Sequence, residues 1–284
     1  MDIITKTLPA NTLTDQSNQN SNIDQHSERE LSNNEQLKVL TYNIWNNPYQ
    51  LHERVRAITR EIRNLDLDLI ALQEVTSNSI EVIFEDLADF YHVIENFKNT
   101  GADHGIVILI NRFKFNIIEP YRFDFTECTS DTRHILGAKI ERFVDNKRLD
   151  FLTTHLESNS SNDHLRLRQR AILDKVANNN DELEDTVIFA GTCNGYKHYE
   201  RSLELSGKYR DVWISLGCSP SLRNTFEGLK NPHLSKIKFK GRLDKIIVRG
   251  KDLKEKNLTL IGVDSPNCES PSDHYGLIAQ LNFK

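Results

Sequence analysis

The stretch Leu67-Asp68-Leu69-Ile70-Ala71-Leu72-Gln73-Glu74 decides the fold of this chain. Its centre, Leu69 to Leu72, is apolar without a break, so it reads as a strongly apolar strand, and it stops abruptly at two polar side chains. On its N-terminal side, Gln50–Asn64 carries apolar residues at helical spacing (Leu51, Val55, Ile58, Ile62), and Leu37–Ile44 reads as another strand. On its C-terminal side a helix is expected over Ser77–Phe90, with serine as its cap. Strand, helix, strand, helix is the opening of an α/β domain.

The alternation continues outward. Tyr91–Asn96, Gly105–Asn111, Phe115–Phe125 and Ile135–Phe143 read as successive strands of one antiparallel sheet. Leu149–His155 is a further strand, followed by a charged helix over Asp163–Ala177. Thr186–Ala190 reads as a short buried strand and Asp211–Leu216 as a short helix; Arg242–Val248, Leu258–Val263 and Tyr275–Phe283 are closing strands. Two groups of strands with few crossover helices predict a two-sheet sandwich covered by helices.

Residues 1–36 differ in kind. They lack aromatic residues, are rich in Asn, Ser, Gln and Asp, and carry six acids against two bases. Too little apolar area is available there to offset the entropy of ordering. So 1–36 is expected to be a disordered polar tail of unknown partner, and 37–284 the folded, catalytic-type domain. The tail holds −4 of the formal −5 charge, leaving a nearly neutral body that can still present a basic face to nucleic acid. No run approaches the roughly 18 apolar residues of a membrane span, and the first residues lack the regions of a secretory signal. The expectation is an intracellular monomer, cytoplasmic or nuclear, without membrane association. Cys128, Cys193, Cys218 and Cys268 form no Cys-x-x-Cys pair, and none has an arginine six positions on. That argues against structural zinc, thiol redox chemistry and a cysteine-nucleophile phosphatase; each is read as a reduced thiol.

Several apolar runs finish in polar clusters: Thr41-Tyr42-Asn43, Gln73-Glu74, Thr154-His155-Leu156-Glu157-Ser158, Gly191-Thr192-Cys193-Asn194, and Ser272-Asp273-His274 entering the last strand. Singly, each is most simply a satisfied hydrogen-bonding group. Together they predict one crevice, because side chains at the ends of facing sheets meet there and rigid elements hold them.

In order along the chain, Asn43 in Leu-Thr-Tyr-Asn-Ile, Glu74 in Ala-Leu-Gln-Glu-Val, His155 in Thr-Thr-His-Leu-Glu-Ser, Asn194 in Phe-Ala-Gly-Thr-Cys-Asn, Asp244 in Arg-Leu-Asp-Lys-Ile and the Ser272-Asp273-His274 triplet resemble the endonuclease/exonuclease/phosphatase superfamily, from about Leu37 to Phe283. Thr154–Ser158, Arg166, Gln169, Val187–Gly191, Asp211-Val212-Trp213 and the aromatic-Gly step after His274 resemble its tyrosyl-DNA phosphodiesterase branch. The resemblance implies a four-layer αββα sandwich, two packed mixed sheets flanked by helices. It also implies phosphodiester hydrolysis at nucleic-acid ends, DNA ends foremost and 5′-tyrosyl DNA or RNA adducts among them, with Mg²⁺, or Mn²⁺ in its place, as cofactor.

Cleaving a phosphodiester needs a cation, an in-line nucleophile and a proton source. One carboxylate with waters and substrate oxygens suits Mg²⁺, and the resemblance gives that part to Glu74, with Asn43 beside it and Asp273 near the metal and the attacking water. It assigns His274 to the scissile phosphate and Asp244 to orienting that imidazole. His155 and Ser158 are expected on phosphate oxygens with Glu157 turned away, Asn194 on the water, and Arg166 and Phe226 on the substrate.

Two positions depart from the pattern. Thr192 stands where the family has the aspartate of Gly-Asp-x-Asn, and threonine is no base at neutral pH; losing a general base costs ~10²–10⁴ in rate. Phe226 stands where the branch has tryptophan. Two other readings therefore stay open: an impaired enzyme that binds metal and phosphorylated nucleic-acid ends, and a phosphatase or lipid phosphodiesterase of the same superfamily. Lys236, Lys238, Lys240, Arg242, Lys245, Arg249 and Lys251, and separately Arg166, Arg168 and Arg170, are candidate tracks for a nucleic-acid backbone. Tyr42, Trp45 and Tyr49 either stack on bases or belong to the core.

Overall fold

The structure, a computed structural model, describes residues 4–6, 36–95, 103–126, 128–129, 133–178, 186–196, 205, 209–234, 236–262 and 270–284. Within the polar N-terminal segment the described residues are Ile4–Lys6, which form a strand (β1), and Gln36, which opens β2 (Gln36–Asn43); the rest of that segment lies outside the described residues.

Two crossover units build the molecule. β2 runs through helix α1 (Leu51–Leu65) to a parallel β3 (Leu69–Thr76), and β8 (Arg148–Thr154) runs through α2 (Asp163–Asn178) to a parallel β9 (Val187–Thr192). Parallel neighbours require such a crossover, and a helix supplies it. The other strands are β4 (Tyr91–Glu95), β5 (His104–Asn111), β6 (Phe115–Asp124), β7 (His134–Arg142), β10 (Arg210–Asp211), β13 (Asp244–Arg249), β14 (Leu253–Ile261) and β15 (Gly276–Phe283), with a short hairpin of β11 (Phe226–Glu227) and β12 (Lys240–Gly241). The first sheet has the order β1-β4-β5-β3-β2-β15-β14 and the second β10-β13-β9-β8-β7-β6; apart from the two parallel pairs the ladders are antiparallel.

Three apolar layers hold the sheets and helices together. Between the sheets pack Val39, Leu69, Ala71, Phe151, Ile188, Ala190, Ile246 and Ala279, all essentially without solvent exposure. The outer face of the first sheet (Leu40, Tyr42, Ile70, Leu72) packs on Val55, Ile58 and Ile62 of α1 and on Ile80 and Ile83 of the helix Ser77–Leu87. The outer face of the second (Leu152, Phe189) packs on Leu173 and Ala177 of α2. This is the expected αββα sandwich.

Three sequence expectations are corrected, and one element was not foreseen. The four runs between Tyr91 and Phe143 do not form one sheet: the tight turn at Arg112–Lys114 carries the chain from β5 in the first sheet to β6 in the second. The helix after β3 is capped by Thr76 rather than by serine, with Ser79 returning the bond to the Thr76 N–H, and it ends at Leu87. Strand β14 begins at Leu253, five residues before Leu258; its charged run, with Lys254 and Lys256 exposed and Glu255 half-buried against Arg210, hides the apolar alternation on this sheet edge. The β11–β12 hairpin, two residues a side, is too short to leave a periodic signal.

Candidate active site

Side chains on a strand alternate between faces, and that rule places the site. The file of β2 pointing between the sheets runs Leu37, Val39, Thr41, Asn43; that of β3 runs Leu69, Ala71, Gln73. In the second sheet the inward files end at Thr153 on β8, Thr192 on β9 and Asp244 on β13. Each file changes from apolar to polar at the same rim. Gln73 ties the sheets together there: its Oε1 accepts from Thr41 at 3.2 Å and lies 3.2 Å from the Thr192 hydroxyl oxygen, and its Nε2 donates to Thr153 at 3.3 Å. All four are buried, so the inter-sheet core is capped by a satisfied polar floor on which the charged groups stand.

Glu74 reaches the rim through a bulge. The β3–β5 register slips between Gln73 and Val75, and Glu74 takes a left-handed φ of 59°. For a non-glycine residue that costs roughly 1–3 kcal/mol and persists only where the surroundings fix it. They do: Oε1 accepts from Asn43 Nδ2 at 2.9 Å and Oε2 from the Asn46 N–H at 3.0 Å. The Asn43 oxygen in turn accepts the Trp45 N–H, so Asn43 aims Glu74 and keeps one further lone pair. Arg54 on α1, wholly buried, spends its five N–H groups on the carbonyls of Ile44, Trp45, Asn47, Tyr49 and Pro271. It fastens the loop after Asn43 to the loop bearing Ser272-Asp273-His274. Nothing in a helical Arg marks this in sequence; only the fold brings those two loops together. Ser272 adds a second tie, donating to the Asn43 carbonyl at 2.6 Å.

On the other side stands a hydrogen-bonded file. His274 Nδ1 lies 2.7 Å from Asp244 Oδ2, and Thr192 Oγ1 donates to Asp244 Oδ1 at 2.6 Å. The register sets Thr192 directly opposite Asp244. Burial alone would suppress the His274 cation, but Asp244, and behind it Asp273 and Glu74, hold the imidazole up to about 9. Burial raises the Asp273 carboxyl to about 6; His274 opposes this, while Glu74 and Asp244 add to it. Glu74, Asp273, Asp244 and His274 thus act on one another across the rim. His155, in a bridge with Thr192, brings Nε2 to 3.9 Å from Glu74 Oε1. Burial, then Arg133, His104 and His274, keep it well below the usual histidine range, hence neutral.

The remaining expectations divide. Asn194, at a left-handed φ of 50°, donates to the Leu156 carbonyl at 2.9 Å and accepts from Tyr196. Ser158 is exposed, and its hydroxyl accepts from Arg133. Glu157 is turned away, as expected, onto Thr129, Asn162 and Arg133. Phe226 stands edge-on to the His274 ring at 5.3 Å, with Phe239 beyond it and Tyr196 against Phe239, an aromatic wall beside His274. Arg166 is a correction: it is wholly buried, its guanidinium on the carbonyls of Glu157, Asn159 and Ser160, where it shapes the Ser158 loop instead of reaching substrate.

The basic run also breaks up. Arg242 is paired with Asp211 and stacked on Trp213, and Lys245 is buried near Asp211, burial lowering its ammonium to about 8. Lys236, Lys238, Lys240 and Lys251 remain exposed. Tyr42 belongs to the core, whereas Tyr49 is exposed. Burial lifts the Cys193 thiol to about 11, which suits packing and not nucleophilic attack. Cys128 and Cys218 are free thiols; Cys268 lies outside the described residues. Sequence reading missed His104, whose Nδ1 lies 3.2 Å from Asn46 Nδ2; its only signal is a histidine at the head of an apolar strand.

The residues fit a magnesium-type ion. Among the described residues no three His, Cys, Asp or Glu side chains group closely enough to cage a metal. An ion that keeps most of its water and takes one or two carboxylates needs no cage, and Glu74 with Asp273 offers that set.

The Asp244–His274 pair is separately testable. In the metal-free protein, Asp244→Asn is expected to drop the His274 midpoint from about 9 to 6.5 or below, since burial is then less opposed. A raised folded pKa gives stability that is complete below the unfolded value and lost as pH rises through the folded one. Unfolding in EDTA should therefore show the parent losing stability between pH 6.5 and about 9, and the variant losing much less over that window. Imidazole NMR titration reads the midpoints, and equal midpoints would remove Asp244 from this role.

Comparison with known proteins agrees with this construction. The endonuclease/exonuclease/phosphatase family model matches residues 40–274. Tyrosyl-DNA phosphodiesterase 2 of Rattus norvegicus is 27% identical over 263 residues, covering 89% of this chain and 68% of its own. A 5′-tyrosyl-DNA phosphodiesterase of Caenorhabditis briggsae is 24% identical over 255 residues, covering 87% and 69%. The crystal structure of D. rerio TDP2 complexed with single-strand DNA product superposes with a TM-score of 0.77 at 24% identity, covering 87% of this chain and 99% of that one. With a family model spanning most of its length and the same sandwich beneath its polar rim, this chain belongs to the endonuclease/exonuclease/phosphatase family.

Proposed function

We propose that this chain is a divalent-metal-dependent phosphodiesterase acting as a monomer on phosphodiester bonds at nucleic-acid ends, with the 5′-tyrosyl-DNA or RNA linkage as its substrate and Mg²⁺, or Mn²⁺, as its ion. The observation that carries the reading is the convergence of Glu74 with the Asp244–His274 pair on one rim. The relatives' activity on tyrosyl-DNA supports the substrate, and an aromatic wall beside His274 suits a base or a tyrosyl ring.

When bound, the ion supplies Lewis-acid stabilisation of charge on the phosphoryl oxygens. The chain's own groups do the rest. With Nδ1 held by Asp244, His274 presents its other nitrogen, and its cationic form neutralises charge developing on the phosphate. Neutral His155 and the Asn194 and Ser158 side chains stand on the same rim to orient phosphate and water. Asp273, given with Glu74 to the ion, also stands next to His274 in the chain, where it would position the attacking water.

One observation favours a second reading, an impaired enzyme that binds phosphorylated ends. Thr192 gives its hydroxyl proton to Asp244 and offers no base where the family pattern has one. One experiment separates the two: a 5′-phosphotyrosyl oligonucleotide incubated with the full chain in Mg²⁺ and in EDTA. Cleavage in Mg²⁺ that stops in EDTA supports the enzyme; metal-assisted binding without turnover supports the binder. Neither binding nor cleavage at low salt, with turnover of a small phosphomonoester instead, would overturn both in favour of a phosphatase.

A further inference from the structure

Two residues, Asn46 and His104, line up behind one oxygen of the proposed metal carboxylate. Glu74 sits in the bulge, and the strand across from it resumes pairing at Val75 with Gly105 and at Thr76 with His104. His104 therefore stands at the head of β5, across from the residue two positions after the left-handed Glu74. Its Nδ1 lies 3.2 Å from Asn46 Nδ2, and the Asn46 backbone N–H donates to Glu74 Oε2 at 3.0 Å. An amide nitrogen can only donate, so Nδ1 is the acceptor and the ring proton is on Nε2. The His104 ring is half-buried and its centroid lies 6.3 Å from that of His155, so it belongs to the rim and not to the core.

Glu74 needs this kind of support. Its backbone conformation is an unfavourable one, held by hydrogen bonds to its side chain from Asn43 and from the Asn46 backbone. Asn43 is fixed by a buried strand. Asn46 is on the loop after it, in irregular backbone, and its side chain reaches across to the other side of the bulge. A loop N–H is only as well placed as the loop itself, and the His104–Asn46 bond is the side-chain tie from that residue to the strand beyond the bulge.

We propose that His104 is a positioning residue for the metal-binding carboxylate: by accepting from the Asn46 side chain it holds the Asn46 N–H on Glu74 Oε2 and keeps that carboxylate aimed at the ion. The inference rests on the metal role given to Glu74 above. Partners one step removed from a ligand are worth roughly 10–100-fold in metal affinity or activity; His104 acts through a loop, so the lower end is expected.

The probe is Mn²⁺ alone, titrated calorimetrically into the full chain without substrate. His104→Ala should weaken Mn²⁺ binding roughly tenfold, while melting in EDTA stays close to that of the parent. His104→Asn, whose Oδ1 falls near the position of the imidazole Nδ1, should restore binding to within about threefold of the parent; that expectation follows from keeping the acceptor. In turnover, the half-saturating metal concentration should rise in His104→Ala with kcat at saturating metal nearly kept. Unchanged Mn²⁺ affinity in His104→Ala would overturn the assignment while leaving the phosphodiesterase reading intact. Failure of His104→Asn to rescue would also overturn it, by showing that the contact to Asn46 is not what matters. A parent chain that binds no Mn²⁺ would instead sink the metal role of Glu74, and this inference with it.

Discussion

Glu74→Ala is expected to lower Mg²⁺-dependent cleavage of a phosphotyrosyl oligonucleotide by roughly 10³–10⁴-fold, the equivalent of about 4–5 kcal/mol of transition-state stabilisation. The same substitution should change the stability of the metal-free protein little. Asp273 has its pKa raised to about 6, in part by Glu74. A carboxyl with a raised folded pKa weakens the fold as pH climbs from its unfolded value near 4 to its folded value, because the unfolded chain ionises first. Removing Glu74 relieves part of that penalty, so above pH 6 the variant gains what the parent gives up to keep two carboxylates together. Against this stand two lost hydrogen-bond acceptors, for Asn43 and the Asn46 N–H, worth about 1 kcal/mol each where water cannot replace them. Activity and stability therefore part company: kinetics with excess Mg²⁺ should show the loss, and unfolding in EDTA should show a change within about 2 kcal/mol of zero. A variant that retained activity within tenfold of the parent would remove Glu74 from the metal site. A variant that failed to fold would show that the bulge depends on it, and Glu74→Gln, which keeps the shape, would then carry the test.

The two buried strands that bring Asn43 and Glu74 to the rim were legible because Leu37–Ile44 and Leu67–Glu74 are continuous or alternating apolar runs ending in polar residues; a period of two sets Asn43 and Gln73 on the inward face, whereas the bulge that turns Glu74 to the rim leaves no mark in the sequence. Thr192 was legible as part of another polar cluster closing a buried run, and Asp244 through the family resemblance. What sequence could not show was how residues far apart face each other. Arg54 looks like an ordinary charged position on an amphipathic helix, yet burial and five carbonyls make it the brace between the two catalytic loops. Arg166 has the reverse history: an arginine near a phosphate motif suggests anion binding, but the tertiary fold turns it under its own loop. The Arg112–Lys114 turn, which sends successive strands to different sheets, differs in nothing local from a hairpin turn. Thr192 was legible as a departure, but that its hydroxyl would be committed to Asp244 depends on a register across the sheet that only the fold sets.

That commitment shapes the outcome expected for Thr192→Asp: a gain in kcat of roughly 10²–10⁴-fold on the phosphotyrosyl substrate, with Mg²⁺ present. Aspartate puts its carboxyl carbon at the γ position and its oxygens one bond further out, so the new carboxylate enters the space around the Thr192 hydroxyl, which lies 2.6 Å from Asp244 Oδ1 and 3.2 Å from Gln73 Oε1. Two buried carboxylates so close do not both ionise freely; one is pushed up toward neutrality, the range in which a general base works best. The His274 cation, next to Asp244, offsets part of the added charge. The new charge remains a burden on the fold, and a loss of about 1–3 kcal/mol in unfolding free energy is expected, smallest at low pH where the pair shares a proton. Thr192→Asn is the control, because an amide of the same shape occupies the position without basicity. If Thr192→Asp is no faster than Thr192→Asn, the missing base is not what limits this chain, and Asp273 or another group already fills that part. If it is slower than the parent, the proton that Thr192 donates to Asp244 is itself needed to keep the Asp244–His274 pair in order. A gain confined to Thr192→Asp, lost in EDTA and absent in Thr192→Asn, would mean that the rim is assembled for phosphodiester cleavage and lacks one carboxylate.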